Sequence, residues 1–389
     1  MFCNWIHNIL QSAKLSISIN GKHEGYFDCK RGARLGDPLS PLLFCLAEEV
    51  LSRGLTKLVN DGSLKLIKGT RSTPISYHIL YADDVMLFCK GTAANIQLLS
   101  QFFQRYAQAS GQVINPQKST IFGGSISNFG FNIGTLPFIY LEVPIFKGKP
   151  KSCYFQPIID RIKVKLASWK ASLLSFVGRI QLIRSVIHSM LIYSITIYSW
   201  PSSLIKELEQ FLRNFIWSGD LHNKKLVTAA WKTICTPLEE GGLGIRSLSK
   251  LNEASNLKLC WKMLESDNHW ASLFRSRVLR NNNFIGYHIF SSVWSGIKPQ
   301  AFHVLNNSRW LLGDGQKINF WIHDWCGSPL VDLFHIPQIL HQHLQSTMSE
   351  YIFNSQWHVP SELQAAYPSL MYQLSKITIP WGSKADKFI

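Results

Sequence analysis

The run from Ile79 to Phe88 constrains the fold most, because two adjacent carboxylates, Asp83 and Asp84, interrupt a stretch that is otherwise apolar. Ile79-Leu80 precede Tyr81-Ala82-Asp83-Asp84, and Val85-Met86-Leu87-Phe88 follow. Apolar runs of this length, rich in branched and aromatic residues, read as buried strands, so the pattern predicts a hairpin with both aspartates at its tip. Like charges side by side repel and are costly to desolvate unless a cation lies between them. Hard oxygen ligands select Mg²⁺ or Mn²⁺, which points to phosphate chemistry. A solvated Asp-Asp turn with no chemistry is the alternative at this stage.

The chain has 389 residues, enough for two or three domains with real cores, and 46% of them are hydrophobic, which sets it apart from disordered chains. Lys and Arg number 40 against 24 Asp and Glu, a net charge of +16 spread along the chain and not gathered in a tail. Such a surface implies a polyanionic partner, most simply nucleic acid. Eight cysteines stand far apart with no CxxC pair, as expected of reduced thiols in an intracellular protein. Residues 1–20 lack the pattern of a signal peptide. The most apolar stretch, Val186 to Trp200, is broken by His188, Ser189, Ser194 and Thr196; it reads as a buried helix too short for a membrane span.

Along the chain, Leu15 to Ile19 alternates as a strand that turns at Asn20-Gly21. In Arg31-Gly32-Ala33-Arg34-Leu35-Gly36-Asp37-Pro38, the glycines let backbone lie close to a ligand. Asp37-Pro38 reads as a helix start, with Asp37 as N-cap and Pro38 in the first turn. Leu39 to Leu58 keeps helical spacing, 64–68 and 75–80 read as strands, and Asn95 to Ser110 reads as a helix ended by Gly111. A strand follows at Ser119 to Phe122, and 123–151 is expected to hold another hairpin and close the first domain. Three amphipathic helices follow, one with its seam at Ile162 to Leu173, one from Gly178 to about 199, and one from Pro201 to Gly219. Their basic faces suit a nucleic-acid backbone and suit an ordinary bundle nearly as well. The turn Glu240-Gly241-Gly242-Leu243-Gly244 lacks the order of a phosphate loop. His323, Cys326, His341 and His343 match no zinc spacing.

Three stretches in order, RGARLGDPLSP (31–41), YADD (81–84) and SGQVINPQKS (110–119), resemble the palm motifs of reverse transcriptases, most closely those of plant LINE-type (non-LTR) retrotransposons. The resemblance implies an α+β fold: a partial palm, an antiparallel sheet with packed helices, over 1–151, a helical thumb over 152–220, and an α-rich connector with an aromatic-rich end over 221–389. It implies metal ligation and catalysis by Asp83 and Asp84. It also implies nucleotide or template contacts from Arg31, Gly32, Arg34, Gly36, Asp37, Pro38, Tyr81 and Lys118. Mg²⁺ or Mn²⁺ would be the cofactor, an RNA template and a DNA primer the partners, and no membrane is implied.

The sequence departs from that pattern in three places. The family's first palm aspartate, upstream of the RG…GDPLSP motif, has no counterpart here; Asp28 stands at the wrong spacing, so an N-terminal truncation and a catalytically defective fragment are expected. Leu35 stands where the family has Gln, and Glu142 where a turn expects Gly. A nucleic-acid-binding remnant without polymerase activity, or a protein adopted for interaction, are the other readings.

Overall fold

The computed structural model describes every residue except 29–35, 70–73, 124–129, 170–173, 224, 226, 228, 281–282 and 381–383. The chain is a mixture of helices and short strands, an α+β protein, and it divides into a unit of residues 1–69 with 74–134 and a unit that runs on from 135 to 389. The division falls ahead of the hairpin at 138–145, earlier than the boundary expected at 151.

In the first unit, α1 (Phe2–Gln11) leads into β1 (Lys14–Ile19) and β2 (Lys22–Asp28), an antiparallel pair that turns through Asn20 and Gly21, both at positive φ as the Asn-Gly signal requires. α2 (Ser40–Asn60) starts later than expected. Asp37 does not cap it: Asp37 Oδ1 accepts from Leu39 N at 3.0 Å and closes a turn, and Pro41, not Pro38, occupies the first helical turn. A short aspartate satisfies the nearest free N–H, two residues on, before the helix begins.

Next come the hairpin β3 (His78–Tyr81) and β4 (Asp84–Leu87), α3 (Ala93–Ser110), and the parallel pair β5 (Thr120–Phe122) and β6 (Asn132–Gly134). α3 ends at Gly111, whose φ of +75° provides the left-handed stop read from the sequence. The expected strand at 64–68 contributes a single bridge, Leu66 to Cys89. Among the described residues every sheet has two strands, so the one antiparallel palm sheet that was expected is not formed. The strands are only three to seven residues long here, and their outer edges carry no ladder partner in the sheet order.

The second unit opens with β7 (Phe138–Tyr140) and β8 (Val143–Ile145), joined through Leu141 and Glu142 at φ +46° and +65°. α4 (Ser152–Ser168) buries Phe155, Ile158, Ile159, Ile162 and Leu166, the i, i+3, i+4, i+7 stripe of a core-facing helix. α5 (Phe176–Leu182), a π-helical turn (Ile183–Ile187) and α6 (His188–Ile197) run on as one helix of 22 residues. Ser175, not Gly178, opens it, its Oγ accepting from Gly178 N at 3.1 Å. By length and composition this helix could cross a membrane, contrary to the expectation drawn from Val186 to Trp200, because it begins ten residues earlier at Phe176. One side of it is nonetheless core: Ile180, Ile183, Ile187, Leu191 and Ile195 are buried. Steps of four residues drift by about 40° each on an α-helix. The π turn takes up that drift and keeps the stripe on one face.

α7 (Ser202–Ser218) completes this cluster with Leu204, Leu208, Leu212 and Phe215. After α8 (Trp231–Ile234), α9 (Leu248–Glu265) is held at both ends by distant side chains. Glu209 Oε1 accepts from Leu248 N at 2.9 Å, and Arg275 donates to the carbonyls of Met263 and Ser266 at 2.6 Å each. α10 (His269–Val278), β9 (Leu279–Arg280), β10 (Asn283–Phe284) and α11 (Trp294–Asn306) pack around Met263, Val278 and Ile297.

β11 (Trp310–Leu311) pairs with β14 (Lys387–Phe388) at the far end of the chain. Between them lie α12 (Leu330–Leu333), β12 (Ile352–Phe353), β13 (Gln356–Trp357), α13 (Ser361–Ala366) and α14 (Leu370–Ser375), around Phe320, Trp321, Trp325 and Met348. Asp386 pins this return: its carboxylate accepts from the backbone N–H of Gly313 at 2.7 Å and of Gly315 and Lys317 at 2.9 Å.

Candidate active site

Tyr81 pairs with Asp84 at the mouth of the β3–β4 hairpin, which leaves Ala82 and Asp83 as its two-residue turn. Ala82 holds φ at +48°, a conformation that suits Gly and costs an L-residue about 1 kcal/mol. The turn settles the arrangement of the carboxylates. Asp83 stands on the turn itself and Asp84 on the first strand position beyond it, both exposed. Neither side chain hydrogen-bonds or ion-pairs among the described residues. The flanking strands are half-buried and not the fully buried pair that their apolar run suggests: Ile79 is 44% exposed and Val85 38%.

The hairpin is positioned from behind by polar contacts. Ser52 Oγ on α2 meets His78 Nε2 at 2.9 Å, and Thr56 Oγ1, one turn further, meets the Tyr77 hydroxyl at 2.8 Å. Burial lowers the pKa of His78, and Glu49 partly offsets the shift. Burial raises the Cys89 thiol, just beyond β4. Asn95, buried in the first turn of α3, ties three segments together. Its Oδ1 accepts from Lys65 N at 3.1 Å, and its Nδ2 donates to the carbonyls of Lys65 at 2.8 Å and Lys90 at 2.9 Å. α2 and α3 approach closely where Gly54 faces the ring of Phe102; a Cβ at Gly54 would lie 2.7 Å from it.

The same helices fix the stretch after α3. The Tyr106 hydroxyl donates to Gln112 Oε1 at 3.0 Å and reaches the Ala47 carbonyl at 3.4 Å. Beside them the buried Glu48 carboxyl is raised by desolvation, an effect that Gln112 opposes. Sequence reading missed Asn95, His78, Ser52 and Glu48. A polar residue in an otherwise apolar helix or strand was the available signal, but it does not say which groups it will meet.

Comparison with known proteins finds that residues 1–133 match the family "Reverse transcriptase (RNA-dependent DNA polymerase)". The chain carries a reverse-transcriptase domain. A putative ribonuclease H protein of Arabidopsis thaliana is 30% identical over 199 residues, which is 49% of this chain and 32% of that protein. An uncharacterized 149 kDa protein of transposon TX1 from Xenopus laevis is 25% identical over 306 residues, 73% of this chain and 22% of its own length. An uncharacterized mitochondrial protein of Arabidopsis thaliana is 36% identical over 113 residues and is covered over 88% of its length, and the chain belongs to its family. The chain spans a third or less of the first two relatives.

All the candidate site residues implied by the resemblance fall inside the reverse-transcriptase match. Arg31, Gly32 and Arg34, with Leu35, lie outside the described residues. Gly36 adopts φ +82°, where a side chain would be strained, and Asp37 and Pro38 form the turn before α2. Lys118 is exposed on a turn built by Asn115, whose Oδ1 accepts from Gln117 N at 3.0 Å and Lys118 N at 3.3 Å. No hydrogen bond or ion pair among the described residues joins Lys118 or the 36–38 turn to the Asp83–Asp84 tip.

A pair of divalent ions needs carboxylates converging from more than one strand. Among the described residues no group of three His, Cys, Asp or Glu side chains is placed to hold a metal, so the reverse-transcriptase domain as described offers two carboxylates and an incomplete donor set. Asp28, at the base of β2 opposite Lys14, belongs to a different hairpin.

Proposed function

We propose that this chain is part of the reverse transcriptase of a plant LINE-type retrotransposon, and that by itself it binds template and primer without extending them. The first unit, with the hairpin after it, serves as a partial palm; residues 152–220 serve as thumb and 221–389 as connector. Asp83 and Asp84 contribute two of the carboxylates for Mg²⁺ or Mn²⁺, and Lys118 faces nucleotide phosphates. Arg31, Gly32, Arg34, Gly36, Asp37, Pro38 and Tyr81 lie along the template and nucleotide. The protein works inside the cell and off the membrane.

One observation carries this reading: a tight hairpin in a reverse-transcriptase match displays two adjacent, unpaired carboxylates, with no third acid beside them among the described residues. The net charge of +16 supports nucleic acid as the partner. The test is primer extension on an RNA template with Mg²⁺, with Asp83→Ala as control. The expected result is no extension by the wild type, together with RNA binding that weakens steeply as salt rises. Extension that disappears in Asp83→Ala would show a completed metal site and overturn the defective reading. Binding indifferent to salt would overturn the nucleic-acid reading.

A further inference from the structure

A cavity of about 480 Å³ opens in the second unit where the π turn of the long helix meets the turn around Gly244. It is large enough for a nucleotide-sized group. Two guanidiniums, Arg184 and Arg246, stand in its lining with the polar side chains of Gln181, Ser185 and Ser189; among the described residues no acidic side chain and no Phe, Tyr or Trp lines it. Neither arginine forms an ion pair among the described residues. Gly244, at φ +62°, leaves room for Arg184, whose guanidinium carbon lies 3.6 Å from where a Cβ would stand.

The glycine turn is no phosphate loop, because its backbone donors are spent. Gly241, Gly242, Leu243 and Gly244 donate to the carbonyls of Leu238, Pro237, Ile234 and Thr236. The turn's contribution is to bring arginines together, which is an anion site of another kind.

His188 also lines the cavity. It is 8% exposed, and its Nε2 is buried without a partner in the protein. Burial first, then Arg246 and Arg184, hold its pKa at about 4, so the ring is neutral near pH 7 and both positive charges remain available to an anion. The π turn displaces this stretch from regular α-helix, a distortion that recurs at functional sites.

We propose that this cavity seats a phosphate group of a nucleic-acid strand, held by Arg184 and Arg246. With no Phe, Tyr or Trp in the lining and the His188 ring buried, no platform is offered to a base, so the contact reads backbone and is independent of sequence. The proposal rests on the nucleic-acid reading above only for the source of the phosphate.

The test measures binding of a fluorescent single-stranded RNA 20-mer to the full chain across a salt series. The variants are Arg184→Gln with Arg246→Gln, Ser185→Glu, which adds a carboxylate without removing either arginine, and Lys206→Gln on the exposed start of α7 as a charge control. Support would be a loss of about tenfold or more in the first two, with the salt slope of the double variant reduced by about 1 to 2, beside a small change in the control. Equal losses in all three overturn the cavity and leave the nucleic-acid reading standing. A wild type that binds no RNA overturns both. Pyrophosphate is the second probe: weak, millimolar competition that is lost in the double variant supports a strand phosphate. Pyrophosphate binding as tight as the RNA assigns the cavity to a free phosphate compound and overturns the strand.

Discussion

Among the described residues of the first unit the buried apolar side chains are Ala13, Leu51, Leu55, Leu64 and Ile96, whereas the second unit closes over clusters centred on Phe155 and Phe215, on Cys260 and Ile297, and on Phe320 and Leu370. The first carries every motif that names the family, and it leaves Trp5, Leu42, Leu46, Val50 and Ile79 exposed. The second carries no motif that names a chemistry, yet it has the deep cores and the polar cavity. Apolar burial is what stabilises a unit, so motif content and stability are separate properties, and here they lie in different parts of the chain.

The sharpest way to break this contrast is Phe155→Ala. Phe155 is fully buried and contacts the rings of Phe146, Tyr198 and Trp200, so the variant is expected to destabilise the second unit by about 3–5 kcal/mol. Denaturation followed by hydrogen exchange in each unit checks it; equal loss of protection in residues 1–134 would show one cooperative body and dissolve the comparison.

A pH series comes next. His188 and His323 are both lowered to about 4, each chiefly by burial, and His323 Nδ1 accepts from Asn319 N at 3.0 Å, which requires the neutral ring. Between the ordinary histidine value of about 6.5 and pH 4 the unfolded chain binds more protons than the folded one. Stability of the second unit therefore falls as pH drops through that window, on the order of 3 kcal/mol per histidine. His188→Gln should flatten the profile of denaturation midpoint against pH; an unchanged profile would contradict the assignment.

In the first unit, Asn95→Leu strands the N–H of Lys65 and removes the second donor from the carbonyls of Lys65 and Lys90, which keep Lys90 N and Thr92 N, an expected loss of about 2 kcal/mol. Faster exchange at the β3–β4 hairpin reads it. Glu142→Gly relieves a left-handed turn and gives up an exposed ion pair to Arg161, so a gain of about 0.5 kcal/mol is expected in thermal unfolding. Asp83→Ala should leave stability within about 0.5 kcal/mol, since the side chain has no partner to lose. A larger shift would mean that the tip is part of the packing and not a free display of carboxylates.

Local chemistry was legible from the chain alone. Asn20-Gly21 makes its turn, Gly111 and Gly219 stop their helices at φ +75° and +74°, and Asp83 and Asp84 sit at a hairpin tip. Each depends on residues within a few positions, where φ preference and periodicity act directly. Glu142 shows the same locality: a residue standing where a turn expects Gly does adopt φ +65°.

Tertiary structure decided the rest. Asp37 was read as a cap and closes a preceding turn, because its carboxylate takes the Leu39 N–H before the helix begins. The expected palm sheet resolves into two-stranded pieces, because strand pairing depends on partners far along the chain that no local pattern specifies. Asn95, Asp386 and the Arg184–Arg246 cavity were invisible for the same reason. Each gathers groups from distant segments, 65 with 95, 313 with 386, 184 with 246. Sequence determines what each residue is able to donate, accept or bury; only the folded chain brings the partner within about 3 Å, where that capacity becomes an interaction.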